Sequence, residues 1–274
     1  MNAEAVQTIR WAEWVYGTGG APRDDPAEEY HEASKLSPRV LDPTARGGRL
    51  LEVSPEMRIT VARAVKRYRH APVTALPQRE LPRTPLRDVI AQRRSERTFA
   101  DGPLDLADLG LLLSAGYGVT GTLAPGQPVR AVPSGGALYP LELYVAAARV
   151  TGLDRALFHF DPFRRVLERL PGDVDRDGLE ALSPYGPLVA DAAAVIFATA
   201  MFWRTRFKYG LRGYRFCLLE AGHVGQNVLL AATALGLASL PVGGFYDRRV
   251  EELLAIDGVN ESVVYAVSVG GRPG

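Results

Sequence analysis

The chain has 274 residues, 47% of them hydrophobic and 23% charged, and 32 basic against 31 acidic side chains leave a formal net charge of +1. This is the composition of a soluble globular chain with enough apolar mass for a core, and the charge balance excludes a general electrostatic pull toward nucleic acid or an anionic membrane. The single cysteine, Cys217, excludes an intrachain disulfide and a multi-cysteine zinc site, so the cytoplasm is the expected compartment.

Met1 to Tyr16 has no apolar run behind a basic start, so no secretory signal is expected and the mature protein is expected to begin near Met1. Trp11, Trp14 and Tyr16 read as aromatic packing of this segment. Proline and glycine cluster between Gly17 and Pro26 and again between Pro72 and Pro85, where Pro77, Pro82 and Pro85 interrupt any helix. A boundary near Pro85 is expected, dividing an N-terminal extension (1–85) from a catalytic domain (86–274). Within the extension, helical patterns cover Pro26 to Leu36 and the basic stretch Ala62 to His70. Its Arg63, Lys66, Arg67 and Arg69 read as a solvated helix face rather than a nucleic-acid site. His31 and Glu32 lack partners at ligand spacing, so no metal is expected.

Beyond Pro85, apolar spacing predicts helices over Leu86–Arg94 and Leu106–Ala115, the second opened by Asp105. A glycine-rich loop through Gly126 follows. Strands are predicted over Leu141–Val150 and Ala192–Ala200, with a hairpin pairing Ala156–Asp161 and Val166–Leu170. The apolar run Ala192–Trp203 spans about a dozen residues, against roughly 20 for a membrane-crossing helix. A long helix over Gly213–Leu235 is apolar on most sides and needs cover from a sheet and a second subunit, with Ala221, Gly222 and Gly225 permitting close approach. An amphipathic stretch, Arg248–Ile256, and a strand, Val263–Val269, close the chain.

Three segments carry chemistry. Arg93-Arg94-Ser95-Glu96-Arg97 sets three guanidinium groups and a hydroxyl at a helix end, donors suited to a phosphate. Pro133-Ser134-Gly135-Gly136 precedes a strand, and its glycines let backbone amides approach a ligand closely. Pro241-Val242-Gly243-Gly244 follows the long helix in the same manner. Neither glycine loop has dinucleotide or P-loop spacing. His223 reads as a packing or interface histidine and Cys217 as a small core residue.

In order and spacing these segments resemble the FMN-binding pattern of the nitroreductase family over about Leu86 to Gly271. The resemblance implies an α+β nitroreductase-like fold, with a central mostly antiparallel sheet flanked by helices, and a homodimer with FMN at the interface. Carried over by residue, it assigns the phosphate and ribityl contacts to Arg93, Ser95 and Arg97, with Arg94 close by. It puts the Pro133–Gly136 loop near the flavin edge and the backbone of the Pro241–Gly244 loop, at Gly243 and Gly244, toward N5.

Within that family, Tyr30-His31-Glu32-Ala33-Ser34-Lys35-Leu36, the Ser134–Pro140 loop and Lys208-Tyr209-Gly210 resemble the SagB/ThcOx branch of azoline oxidases. The likeness implies dehydrogenation of a thiazoline or oxazoline to an azole, with Lys208 and Tyr209 as the catalytic base pair. Oxygen would be the terminal acceptor. Arg204, Arg206 and Arg212 are expected to crowd the lysine and favour its neutral form. The likeness leaves the substrate peptide-borne, carrier-bound or free, and admits a cyclodehydratase as partner. Two other readings are a nicotinamide-dependent nitroreductase or flavin reductase on the same fold, and a non-catalytic scaffold subunit of a biosynthetic complex.

Overall fold

Strands whose residues are buried on both faces form the centre of the protein. The computed structural model describes residues 25–37, 45 and 47–274; Trp11, Trp14, Tyr16 and most of the Gly17–Pro26 cluster lie outside them. In chain order the structure has α1 (Pro26–Ala33), α2 (Gly47–Val53), α3 (Pro55–Ala62), β1 (Val73–Ala75), α4 (Leu86–Gln92), α5 (Leu106–Tyr117), β2 (Val119–Ala124) and β3 (Gln127–Arg130). Then follow β4 (Leu141–Ala147), β5 (Ala156–Asp161), β6 (Val166–Arg169), α6 (Arg176–Glu180), α7 (Gly186–Ala190), β7 (Ala194–Met201), α8 (Trp203–Tyr209), α9 (Arg212–Ala234), β8 (Ala238–Val242), α10 (Asp247–Leu254) and β9 (Glu261–Gly270). Seven strands make one sheet in the order β1-β6-β5-β4-β7-β9-β8, each neighbouring pair antiparallel.

Alternation along each strand sends side chains to two cores. Leu143, Val145, Phe158, Phe160 and Ile196 face the layer of α5 and α9, where they meet Leu109, Leu112, Val224 and Val228. Tyr144, Ala146, Leu157, Val195 and Phe197 face the opposite way, toward Leu179, Val189, Val250 and Leu254 of the shorter helices. The expected α+β architecture with an antiparallel sheet is thus present. Gly225 of α9 receives the Tyr265 ring of β9, and Gly116 of α5 receives Val228, where an added Cβ would stand 2.9 Å from the valine methyl. Gly225 of α9 therefore serves the sheet, the close approach of α5 to α9 comes through Gly116 of α5, and Gly222 faces open space.

Local chemistry sets the helix starts. The Asp25, Ser54 and Asp105 side chains accept from Ala27 N, Met57 N and Ala107 N, and Pro26 and Pro55 occupy first helical positions where no amide is needed. Most predicted elements appear within a few residues of their expected bounds. Two regions differ. Residues 119–130 form a hairpin where a glycine-rich loop is expected, turning at Gly126 with φ +80°. The basic stretch Ala62–His70 is not a helix: α3 ends at Ala62, and the chain then runs across the sheet to pair β1 with β6. Lys66 Nζ meets Glu261 at 2.6 Å and the Tyr144 hydroxyl at 2.9 Å, while Arg67 faces buried Asp161 at 3.5 Å. Buried carboxylates need cationic partners, and that demand overrides local helix propensity.

Candidate functional site

Arg93 is the residue that closes α4, its N–H donating to Val89 O at 2.9 Å, and the chain beyond it is extended. Glu96 N donates to Ser239 O (3.0 Å) and Ala100 N to Gly271 O (2.9 Å), so this segment lies along β8 and the end of β9. The result is a cavity of about 280 Å³ in which Arg97 faces the Pro241-Val242-Gly243-Gly244 backbone, with Tyr185, Leu188 and Leu240 completing the wall. Two distant sequence motifs thereby meet. An added Cβ at Gly244 would stand 2.9 Å from the Tyr185 ring, whereas at Gly243 it would meet nothing within 4 Å, leaving that backbone open. Pro241 is tolerated because β8 is an edge strand.

The other residues of the arginine motif divide. Arg93 faces half-buried Tyr265, whose hydroxyl is pushed up by burial and drawn down by the guanidinium. Ser95 is half-buried. Arg94 turns back to donate to Ala91 O and Arg93 O, both at 2.8 Å, and so caps the α4 carbonyls rather than entering the cavity. Arg272 reaches Glu96 at 3.3 Å, adding a cation beside the motif.

A second cluster forms around the Pro133–Gly136 loop. Ser134 Oγ accepts from Tyr139 N at 2.9 Å, and the turn between them holds Gly136, Ala137 and Tyr139 at φ +69°, +54° and +44°. A Cβ built on Gly136 would lie 2.7 Å from Lys208 Nζ and 2.8 Å from the Tyr209 hydroxyl, so both groups close over this one glycine. The Lys208 ammonium sits 4.9 Å from the Tyr209 ring centre, and that ring meets Phe216 edge-on at 4.9 Å. Gly136→Ala is expected to push the pair apart, since a methyl group has no room there and φ is already in the left-handed region. Changes in the NMR signals of the Lys208 and Tyr209 side chains between wild type and Gly136→Ala would record the displacement.

The arginines expected to crowd Lys208 point elsewhere. Arg204 binds Glu142 Oε1 at 2.6 Å and reaches Tyr139 O at 3.4 Å, Arg206 stacks on Trp203 at 4.4 Å, and Arg212 donates to Ser34 O at 3.3 Å. Arg204 thus ties α8, which carries the pair, to both the sheet and the loop. The Tyr30–Leu36 motif docks beside it: Tyr30 donates to Leu211 O (3.0 Å), and Arg215 donates to Ser34 Oγ (2.8 Å) and His31 O (2.6 Å). Among the described residues no contact joins Arg97, Gly243 or Gly244 to Lys208 or Tyr209 within one chain.

Two polar groups were not singled out from the sequence. Glu220, 2% exposed, accepts from the Tyr117 hydroxyl at 2.7 Å. Burial pushes its carboxyl up to about 7 against the pull of Ser134, Tyr117 and Arg130. His159 bridges Glu142 and Glu168, each at 3.0 Å, with all three side chains at most 1% exposed. Burial opposes their charges, but mutual pairing outweighs it, raising His159 and bringing Glu142 down to about 2 with help from Arg204. The available signal was a charged residue inside each apolar strand pattern, Glu142 in β4 and His159 in β5. His223 is exposed on α9, and Cys217 is buried with its thiol pushed up to about 12, chiefly by burial. No described helix is long and apolar enough to cross a membrane.

The nitroreductase family pattern matches residues 90–271. MJ1384 of Methanocaldococcus jannaschii, a protein named as a nitroreductase, is 39% identical over 62% of this chain and 84% of its own. The trifolitoxin-processing protein TfxB of Rhizobium leguminosarum is 30% identical over 64% of this chain, and the microcin B17-processing protein McbC of Escherichia coli 31% over 48%. The chain spans about half the length of each of these two, 49% and 51%. Among solved structures, a nitroreductase-type protein from Anabaena variabilis superposes with a TM-score of 0.63 at 26% identity, covering 75% of this chain and 42% of that one. A chain of the E. coli microcin synthetase McbBCD complex, bound to truncated pro-MccB17, shares the fold with a TM-score of 0.57 at 19% identity over 90% of this chain and 92% of that one. The match covers most of the chain and both glycine loops, and the chain belongs to the nitroreductase family.

Proposed function

We propose that this protein is an FMN-dependent dehydrogenase that oxidises an azoline, or a similar ring, to the aromatic azole. The observation that carries the reading is the convergence of Lys208 Nζ and the Tyr209 hydroxyl on Gly136. A lysine and a phenol over a bare backbone form a site for removing a proton from a substrate carbon. The relation to McbC and TfxB, named for processing microcin B17 and trifolitoxin, supports a peptide-borne substrate.

A flat, phosphorylated ligand suits the lining, where Arg97 and the open Gly243 backbone both border the cavity and Arg93 and Ser95 precede Arg97 in the same segment. FMN bound there supplies a two-electron acceptor for hydride. The protein's own residues do the rest. Arg93, Ser95 and Arg97 hold the phosphate and ribityl chain, and Gly243 and Gly244 direct amides at the ring. Lys208 and Tyr209 would take the proton from one ring carbon, whose C–H electron pair becomes the new ring double bond, as the adjacent ring carbon gives up its hydrogen as hydride to the flavin. The two clusters are separate in one chain, and a second copy, related by a two-fold axis, brings its Ser134–Gly136 loop and base pair to the first copy's cavity. Exposed Leu218 and Leu219 on α9 and Leu86 and Ile90 on α4 are the apolar surface for that contact.

The test is release of FMN from purified protein. Arg93→Ala with Arg97→Ala is expected to weaken FMN binding by at least a hundredfold, about two charge-assisted contacts at roughly 1.5–3 kcal/mol each. Fluorescence titration reads this directly. Protein that cannot be loaded with FMN would end the proposal and favour a scaffold role. The relation to MJ1384 favours a second reading, a nicotinamide-dependent nitroreductase, which rapid flavin bleaching by NADH or NADPH without an azoline would support.

A further inference from the structure

Glu220 is the only buried carboxylate of α9, and it has no ion-pair partner among the described residues. Its Oε1 accepts the Tyr117 hydroxyl, which in turn accepts from Leu141 N at 3.1 Å, the first residue of β4 and so the exit of the Ser134–Pro140 loop. Its Oε2 is buried without a hydrogen-bond partner of its own. Ser134, the loop's entry, lies against the carboxyl, and the Ser134 hydroxyl oxygen accepts from Tyr139 N. One side chain therefore stands behind both ends of the loop. Between those ends Ala137 and Tyr139 hold left-handed backbone. Non-glycine residues keep that conformation only where their surroundings over-determine it. An apolar side chain would cost less to bury than this carboxyl, so its position calls for a role.

We propose that Glu220 is a positioning residue that clamps the strained Ser134–Tyr139 loop through Ser134 and Tyr117, and thereby sets the platform on which Lys208 and Tyr209 close. The inference rests on the reading of that pair as the base. The groups facing Glu220 are Tyr117 from α5, Arg130 from β3, Ser134 from the loop and Cys217 on its own helix. Arg130 is itself sandwiched between the Tyr117 and Tyr139 rings at 4.3 and 4.9 Å. Burial brings the carboxyl to about 7, so it changes charge near neutrality while the Tyr117 hydroxyl, pushed up by burial, and the Cys217 thiol keep their protons. Once ionised, Glu220 presents a full charge to the Tyr117 and Ser134 hydroxyls, and charge-assisted bonds are the stronger kind.

Hydrogen exchange of the 134–141 segment in the flavin-free full chain, corrected for intrinsic rates, tests the clamp. Opening of the loop breaks the Ser134 and Tyr117 interactions, which lower the carboxyl's pKa, while Glu220 stays packed on α9. Ionisation therefore favours the closed loop, and the wild type is expected to be about fivefold better protected at pH 8 than at pH 6. Glu220→Gln should show no such step, with protection at both pH values equal to that of the wild type at pH 6. Ser134→Ala, a loop change that leaves the core intact, should lose both the step and the protection, and it decides the matter if the glutamine variant fails to fold. A step that survives in either variant, or that is missing from the wild type, overturns the proposal. In the FMN-loaded protein the same ionisation should appear in the kcat profile of azoline oxidation and vanish in Glu220→Gln, with KM unchanged. If FMN does not bind, the functional reading falls while the exchange result still decides the clamp.

Discussion

Lys208→Ala is expected to lower the rate of substrate-dependent flavin reduction by about 10²–10⁴-fold, the usual contribution of a positioned general base, without loss of bound FMN. Lys208 acts on the substrate, whereas Arg93, Ser95 and Arg97 hold the phosphate and ribityl chain, so its removal should leave cofactor content unchanged. Tyr209→Phe should also be impaired, because its hydroxyl shares the space above Gly136 with Lys208 Nζ. The measurement is anaerobic mixing of FMN-loaded protein with a thiazoline peptide while flavin absorbance is followed. Rates for both variants within threefold of the wild type would remove the base assignment.

His159→Leu is expected to destabilise the fold by roughly 3–5 kcal/mol, because each of two buried carboxylates loses a charge-assisted hydrogen bond, leaving Glu142 to Arg204 and Glu168 to Arg164. The loss should depend on pH. His159 is raised above its ordinary 6.5, so its contribution is full below 6.5 and is lost as pH rises through the higher folded value. Glu142 and Glu168 are held below 4.5, so theirs is present above 4.5 and fades as pH falls, for Glu142 toward about 2. The gap between wild type and variant should therefore be widest between pH 4.5 and 6.5 and should narrow in alkali. Urea unfolding at pH 5.5, 7 and 9 reads this; a difference below about 1 kcal/mol at pH 5.5, the scale of one ordinary hydrogen bond, would show that the network is not holding the sheet. The consequence extends to the site, since Glu142 also anchors Arg204 and with it α8.

Much of this protein was legible before folding. Apolar periodicity marks α9 and the central strands because burial demands it of any chain with this composition, and the Arg93–Arg97, Ser134–Gly136 and Gly243–Gly244 motifs mark the ligand chemistry because each is continuous in sequence. What was not legible depends on pairs far apart in the chain. Residues 62–70 have a helical pattern, but the helix stops at Ala62, because Lys66 is drawn to Glu261, 195 residues away. Pro241 hides the strand β8, which only its edge position permits. Arg94 and Arg204 each stand in a basic stretch of sequence, yet the structure sends Arg94 to helix carbonyls and Arg204 to Glu142. A guanidinium goes where an unpaired acceptor lies, and in a folded chain that is a matter of space, not of sequence order.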